Sequence, residues 1–270
     1  MRIGDRDAPS DVLVLAYHAV SDGWDAVTTV TPAQLEQHVR YLLARGYRSV
    51  TFERALSAPP AGKVLAITFD DAHRSVFDLA FPLLRRLGAV ATVFAPTNYI
   101  GTGEPTAWEG FAAAALGSHS RELVCMNWEQ LRTMADVGWE VGSHTRSHPH
   151  LTRLAPSAVR DELAGSRELL EARLQRPCRS LAYPYSDVNG AVVEGADASG
   201  YAYAATIPVG HALSLPLRWS RVGVFRGDSM RRFRLLTSRA TRGFLASSTG
   251  TRTADAVRVV RSELRVAFGR

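Results

Sequence analysis

Lysine is nearly missing from this chain. Lys63 is the single example in 270 residues, so almost all positive charge is guanidinium. Cysteine is almost as scarce: Cys125 and Cys178 are too few for a disulfide framework, and without an export signal two free, largely buried thiols are expected, one disulfide being the alternative. No stretch approaches the roughly 18 to 20 unbroken apolar residues of a membrane span. The opening Met1-Arg-Ile-Gly-Asp-Arg-Asp7 is too acidic, and the apolar run from Val12 too short, for a secretory signal, so a cytoplasmic location is expected. Internal repeats and low-complexity linkers are also missing, which excludes a repeat array. What is present, 46% hydrophobic and 21% charged residues, is the composition of an ordinary globular domain with a sizeable core.

The charge is unevenly placed. Thirteen arginines against Asp228, Asp255 and Glu263 give the stretch from Arg218 to Arg270 a balance of +10, so the preceding 217 residues carry −4 of the net +6. A coding bias toward arginine on a solvated helix face explains this, and a weak contact with an anionic surface is the sharper alternative. Nucleic acid is not expected as a partner: zinc-finger spacing is missing, and no aromatics interleave with the basic stretch. Within it, Asp255–Gly269 sets Val257, Val260, Leu264 and Phe268 on one face and Arg258, Arg261 and Arg265 on another, an amphipathic helix expected to pack on its own domain.

Short apolar, β-branched runs alternate with helical periodicity. Strands are expected at Val12–His18, Val64–Asp70, Ala89–Ala95, Glu140–His144, Ser180–Tyr185, Tyr201–Thr206 and Arg218–Val224. Helices are expected at Pro32–Arg45, Ser75–Leu87, Trp128–Val137 and Pro156–Leu174. Thr31 and Asn127 are the N-caps and Gly46 and Gly138 the stops. This alternation argues a parallel sheet buried on both faces by helices, an α/β fold in which about seven strands suit a distorted (β/α) barrel better than an open sheet. Residues 1–227 form that domain, with 228–270 a basic helical extension packed on it. Sites form where such strands end, and His18, Asp70, Asp71, His144 and Tyr185 all close expected strands. Gly101–Ser120, holding Trp108, Glu109 and Phe111, reads as an insertion beside the pocket mouth.

Two imidazoles four residues apart, His144 and His148, can grip one divalent metal. Adjacent carboxylates after the run Val64-Leu-Ala-Ile-Thr-Phe69 point in different directions, so one can ligate and the other act as a base. Alone, each pair also has a plain reading, the aspartates as a helix cap and the histidines as a polar loop. Pro149 ends any helix at His148, which favours a tight loop. His150 is expected to be a hydrogen-bonded neighbour. Two histidines and one aspartate leave an open coordination position, the pattern of a catalytic site able to hydrolyse an amide or ester.

Thr68-Phe-Asp-Asp71, Ser143-His-Thr-Arg-Ser-His-Pro149 and Leu181-Ala-Tyr-Pro-Tyr-Ser186 resemble, in order and spacing, the motifs of polysaccharide deacetylases (carbohydrate esterase family four). Leu15-Ala-Tyr-His18 resembles the start of the branch whose third motif reads Tyr-Pro-Tyr, and the resemblance runs from about Leu13 to Val224. It implies a distorted (β/α) barrel, a general base at Asp70, and a metal held by Asp71, His144 and His148. It also implies an oxyanion contact from the Tyr185 backbone N–H, with Pro184 fixing that loop. Zinc is the default ion, with cobalt, nickel or iron as alternatives.

Three departures stand out. Ala182 occupies the position of an arginine that orients the catalytic aspartate, and Arg221 is the candidate replacement. Ala72-His73 replaces the glycine and aromatic that usually follow the first motif. The C-terminal Leu-x-x-His motif that supplies a general acid is absent, leaving His18 first and His73 second for that role. Substrate contacts are expected from Tyr185, Pro184, Trp108 and His73. Trp108, Trp128 and Trp219 are each either sugar-stacking or core. The expected function is metal-dependent removal of N-acetyl groups from an N-acetylated sugar or polysaccharide. The alternatives are deacylation of a non-carbohydrate small molecule and a catalytically impaired carbohydrate-binding relic.

Overall fold

The computed structural model of the protein describes residues 11–207 and 214–247. Its strands follow the apolar runs closely: β1 (Asp11–Tyr17), β2 (Ala19–Val20), β3 (Thr29–Val30), β4 (Arg48–Val50), β5 (Lys63–Phe69), β6 (Thr92–Ala95), β7 (Glu140–Ser143), β8 (Ser180–Ala182), β9 (Tyr203–Thr206), β10 (Ser214–Leu215), β11 (Arg218–Ser220) and β12 (Val222–Gly223). The main sheet runs β10-β11-β9-β8-β7-β6-β5-β1-β12, with β4 beside the start of β5, and β2 and β3 pair apart from it. Every pairing in it is parallel except β10 with β11. β11 pairs with β9, β12 pairs with β1, and only Arg221 separates β11 from β12. The two sides of the sheet therefore meet at Arg221, which gives the distorted α/β barrel expected from the sequence.

Strand alternation sorts the core into two layers. Leu13, Leu15, Leu65 and Ile67 face the helices, in one cluster with Leu35, Val39, Leu131 and Leu163. The alternate positions Val14, Val64, Ala66, Phe94, Ala182 and Ala205 face inward, closed from one end by Phe52. The interior is narrow: a Cβ on Gly142 would stand 2.7 Å from the Phe94 ring and 2.5 Å from Ser180 Oγ, so β7 tolerates no side chain there. Continuing the β5 alternation through Thr68 points Asp70 into this interior.

Helices Pro32–Leu43 and Trp128–Asp136 begin at the expected caps, and Thr31 and Asn127 each complete a capping box with a glutamine three residues on. The stretch expected as one helix from Ser75 divides into a π-turn at Val76–Ala80 and a helix at Phe81–Arg86. Helix Gly190–Ala198 was not expected. Cys125 and Cys178 are free and buried.

Part of the C-terminal extension packs on the barrel through helices Met230–Thr237 and Arg239–Leu245. Phe233 stacks on His38 with centroids 4.0 Å apart, and Arg242 donates to Asp11 Oδ1 (2.5 Å) and to the Val12 carbonyl (2.9 Å). The amphipathic helix expected over Asp255–Gly269 lies outside the described residues. Among the described residues no helix is long and apolar enough to cross a membrane.

Candidate metal centre and active site

Asp71, from the loop after β5, and His144 and His148, from the loop after β7, converge. The Nε2 atoms of both histidines stand 3.4 Å from Asp71 Oδ1. Among the described residues these three form the cluster able to share an ion, with ligand atoms within 4.8 Å of one another and all three side chains buried. His144 Nδ1 donates to the Ala182 carbonyl at 2.7 Å, which leaves the Nε2 lone pair aimed at Asp71. Asp71 Oδ1 is itself buried without a hydrogen-bond donor. Lone pairs facing one another without a proton between them are repulsive unless a cation sits among them. Two ligands each about 2.1 Å from a tetrahedral ion stand about 3.4 Å apart, so the residues fit a divalent metal.

The backbone is bent to achieve this. Asp71 (φ 68°), Ala72 (φ 49°), Thr145 (φ 66°), His148 (φ 60°), Tyr185 (φ 56°) and Ser186 (φ 56°) all adopt left-handed conformations that residues with a Cβ avoid. Neighbours hold them there. Glu162, on helix Pro156–Leu174, accepts from the backbone N–H groups of Arg146 (2.8 Å) and Ser147 (2.9 Å) and from the Ser147 hydroxyl, pinning the histidine loop. Cys125 Sγ donates to the Asp71 carbonyl at 3.2 Å. Trp108 lies flat on the His148 ring, centroids 4.1 Å apart and 19° from parallel.

Asp70 has a different partner. Arg221, 151 residues away, grips it in a two-pronged pair, Nη1 to Oδ1 at 2.6 Å and Nη2 to Oδ2 at 2.7 Å, and Nη1 also donates to Thr68 Oγ1 at 2.8 Å. Both side chains are buried. Burial raises the Asp70 pKa, but the guanidinium outweighs it and holds the carboxyl below its usual range. Burial likewise works against ionisation of Asp71, and the surrounding imidazoles of His144, His73 and His148 hold it well below the usual carboxylate range. Burial pushes His148 down to about 3, so its ring is in the neutral form that ligates. His18 Nε2 stands 4.0 Å from Asp70 Oδ2, and its pKa is lowered by burial against the raising charges of Asp71 and Asp70.

These groups share one cavity of about 400 Å³, lined by His18, Asp70, Asp71, His144, His148, Trp108 and Tyr185 and walled by Val27, Phe111, Ile207 and Phe225. Trp108 is thus both packed on a ligand histidine and part of the wall. His150 is a neighbour, as expected, stacked on Tyr185 at 4.0 Å and bonded to Glu109 at 3.1 Å. Two expected substrate contacts are corrected. The His73 ring is fully buried and outside the cavity lining, its Nε2 3.3 Å from Asp71 Oδ2, so it contacts the carboxylate from behind. Pro184 is also buried and outside the lining; it opens the short turn whose bonds run from Ser186 N–H to Tyr183 O and from Asp187 N–H to Pro184 O. Glu162 and Cys125 were missed, because each is distant in sequence from the groups it supports and carries no motif of its own.

Residues 57–204 match the family model for polysaccharide deacetylase, and the chain belongs to that family. It is similar to YxkH of Bacillus subtilis, named for the same family, at 27% identity over 76% of this chain and 68% of that protein. It is also similar to a poly-beta-1,6-N-acetyl-D-glucosamine N-deacetylase of Staphylococcus epidermidis, at 24% identity over 66% of this chain and 61% of that enzyme, so the chain spans under two thirds of that relative's length. Among solved structures, the Streptococcus pyogenes deacetylase PplD in complex with acetate shares the fold at a TM-score of 0.70 and 23% identity, covering 86% of this chain and 100% of that one. IcaB from Ammonifex degensii does so at 0.67 and 24%, over 86% and 97%.

Proposed function

We propose that this protein is a metal-dependent N-deacetylase that hydrolyses the acetamide of an N-acetylated sugar or polysaccharide, releasing acetate and a free amine. The observation that carries the reading is the pairing of two carboxylates with different partners. Asp71 faces two imidazoles at 3.4 Å, while Asp70 is gripped by Arg221 and faces the same cavity. A pure binding relic has no use for the second buried, ionised carboxylate. Membership in the family and the N-acetylglucosamine polymer named for a relative support the substrate class.

Asp71, His144 and His148 would hold the ion, zinc by default from the nitrogen-and-oxygen donor set. Such an ion, when bound, lowers the pKa of water and polarises a carbonyl. Asp70 takes the proton of the attacking water. Its lowered pKa keeps it ionised and ready, and Arg221 fixes its orientation. The Tyr185 N–H, which takes no part in the bonds of its own turn, donates to the oxyanion. His18 returns a proton to the departing amine. Because burial favours its neutral ring, that proton comes by way of neighbouring Asp70. Trp108 and Tyr185 give the sugar aromatic surface.

Acetate release from an N-acetylglucosamine oligomer, measured with added zinc or cobalt and after chelation, tests the reading. Release that stops on chelation and in Asp70→Asn is expected. Undiminished release by Asp70→Asn would overturn it.

A further inference from the structure

A second cavity, of about 410 Å³, opens at the N-terminal ends of the strands. Asp11 and Lys63, the first residues of β1 and β5, line it together with Tyr41, Arg45, Tyr47 and Arg239. It shares no lining residue with the catalytic cavity. The length of β5 separates Lys63 from Asp70, roughly 20 Å of extended chain.

Three cations, Lys63 among them as the single lysine of the chain, share this lining with one carboxylate. That carboxylate is already engaged: Asp11 accepts from the Tyr47 hydroxyl at 2.8 Å and from Arg242 at 2.5 Å. Arg45, Lys63 and Arg239 are exposed, and among the described residues none of them forms an ion pair. Two of them are held over tyrosine rings. The Arg45 guanidinium lies 4.5 Å from the Tyr41 ring centre, with Arg234 5.2 Å from the same ring, and the Lys63 ammonium lies 5.7 Å from that of Tyr47. Lys63 gives one N–H to the Arg45 carbonyl at 3.0 Å, which leaves two of its three donors for a further partner. Like charges gathered around one hollow repel, and an entering anion reverses the sign of that energy. A carboxylate brings one charge, whereas a phosphomonoester brings nearly two and three strong acceptor oxygens, which guanidinium forks match in pairs. The volume is that of a small-ligand site.

We propose that this cavity is a phosphate-binding site, in which Arg45, Lys63 and Arg239 hold the phosphomonoester group of a small molecule or of a lipid headgroup. The site is independent of the deacetylase reading. It lies at the opposite end of the barrel from the catalytic cavity, so a ligand bound there leaves that cavity open.

Because the chain has one lysine, reductive methylation with ¹³C-formaldehyde gives a single lysine signal in the carbon NMR spectrum, that of Lys63. Titration with inorganic phosphate or glucose 6-phosphate, at low and matched ionic strength, is expected to shift that signal saturably. Arg239→Gln is expected to weaken the binding about tenfold, and Lys63→Gln to do the same by calorimetry, with melting temperature and zinc affinity unchanged. Co-sedimentation with phosphatidylcholine vesicles carrying phosphatidic acid identifies the source. Vesicle binding without saturation by the soluble phosphates assigns the site to a lipid headgroup, and the reverse assigns it to a small molecule. A wild type that neither saturates with the soluble phosphates nor sediments with the vesicles overturns the assignment. Binding that both variants retain at wild-type strength overturns it as well. Acetate release is expected to be unchanged in both variants, so the failure of either reading leaves the other standing.

Discussion

The two ends of the barrel treat buried charge in opposite ways. At the N-terminal ends of the strands each carboxylate is saturated. Glu140 Oε2 accepts from the Glu53 N–H and the Thr92 hydroxyl, both at 2.9 Å, and Oε1 accepts from Ser180. Asp11 is held by Tyr47 at 2.8 Å and by Arg242. At the C-terminal ends the pairing is deliberately incomplete. Asp71 Oδ1, His148 Nδ1 and His18 Nδ1 are buried without hydrogen-bond partners. Six of the seven non-glycine residues with positive φ among the described residues cluster there, the seventh being Gln175 at a helix end. Each such conformation costs on the order of 1–3 kcal/mol. One end holds the fold together, and the other gives up stability to gather incompletely paired polar groups around one cavity.

Substitutions at the two ends separate these roles. The largest effect is expected from His144→Ala, which removes one of three ligands: zinc binding, followed by calorimetry, falls below detection, and acetate release falls at least about a thousandfold. Asp70→Asn should lower kcat by roughly a thousandfold while zinc affinity stays near wild type, a split that a merely structural aspartate does not produce. Arg221→Met leaves Asp70 buried without its partner. Stability should drop by about 3–5 kcal/mol in denaturant titration, and the acid limb of the pH–rate profile should move to higher pH, because the main group opposing the effect of burial on the Asp70 pKa is then gone.

At the other end, stability should change and activity should not. Arg242→Ala is expected to cost about 1 kcal/mol with kcat unchanged. Burial opposes ionisation of Asp11, yet the hydrogen bonds from Arg242 and Tyr47 set its folded pKa below the ordinary carboxylate value of 3.8. Its contribution is thus present above that value and lost as pH falls through the folded pKa, and Arg242→Ala should move acid unfolding to higher pH. At neutral pH the smallest effect is expected at His38, which burial pushes down to about 4 from 6.5. Below pH 6.5 the unfolded chain takes up a proton that the folded ring refuses, so stability falls between about pH 6.5 and 4. His38→Gln should flatten that slope in thermal melts at matched ionic strength.

Much of this architecture was legible in the sequence because it rests on local pattern. β5 follows from the unbroken run Val64–Phe69, and the helix at Pro32 from Thr31, Pro32 and the apolar spacing behind them. Helix Gly190–Ala198 escaped because its glycines and alanines carry little periodicity. The residues of the Asp71, His144 and His148 cluster were readable from two short motifs. Arg221 was nameable as an arginine on the last strand near a carboxylate lacking its usual partner, but its two-pronged grip on Asp70 spans 151 positions. His73 misled for the converse reason: next to Asp71 in sequence, it lies behind that carboxylate rather than before the cavity.

Side-chain chemistry and periodicity, both local properties, determined from the sequence alone that this is an α/β domain, and that two carboxylates and two histidines stand at the ends of its strands. Which way each group points was decided only when β11 and β12 brought Arg221 between β9 and β1, and when Glu162 pinned the loop that carries His148. The physical reason is that orientation and burial come from contacts between segments a hundred or more residues apart in places, and hydrogen bonds across such distances leave no trace in the local pattern of either partner.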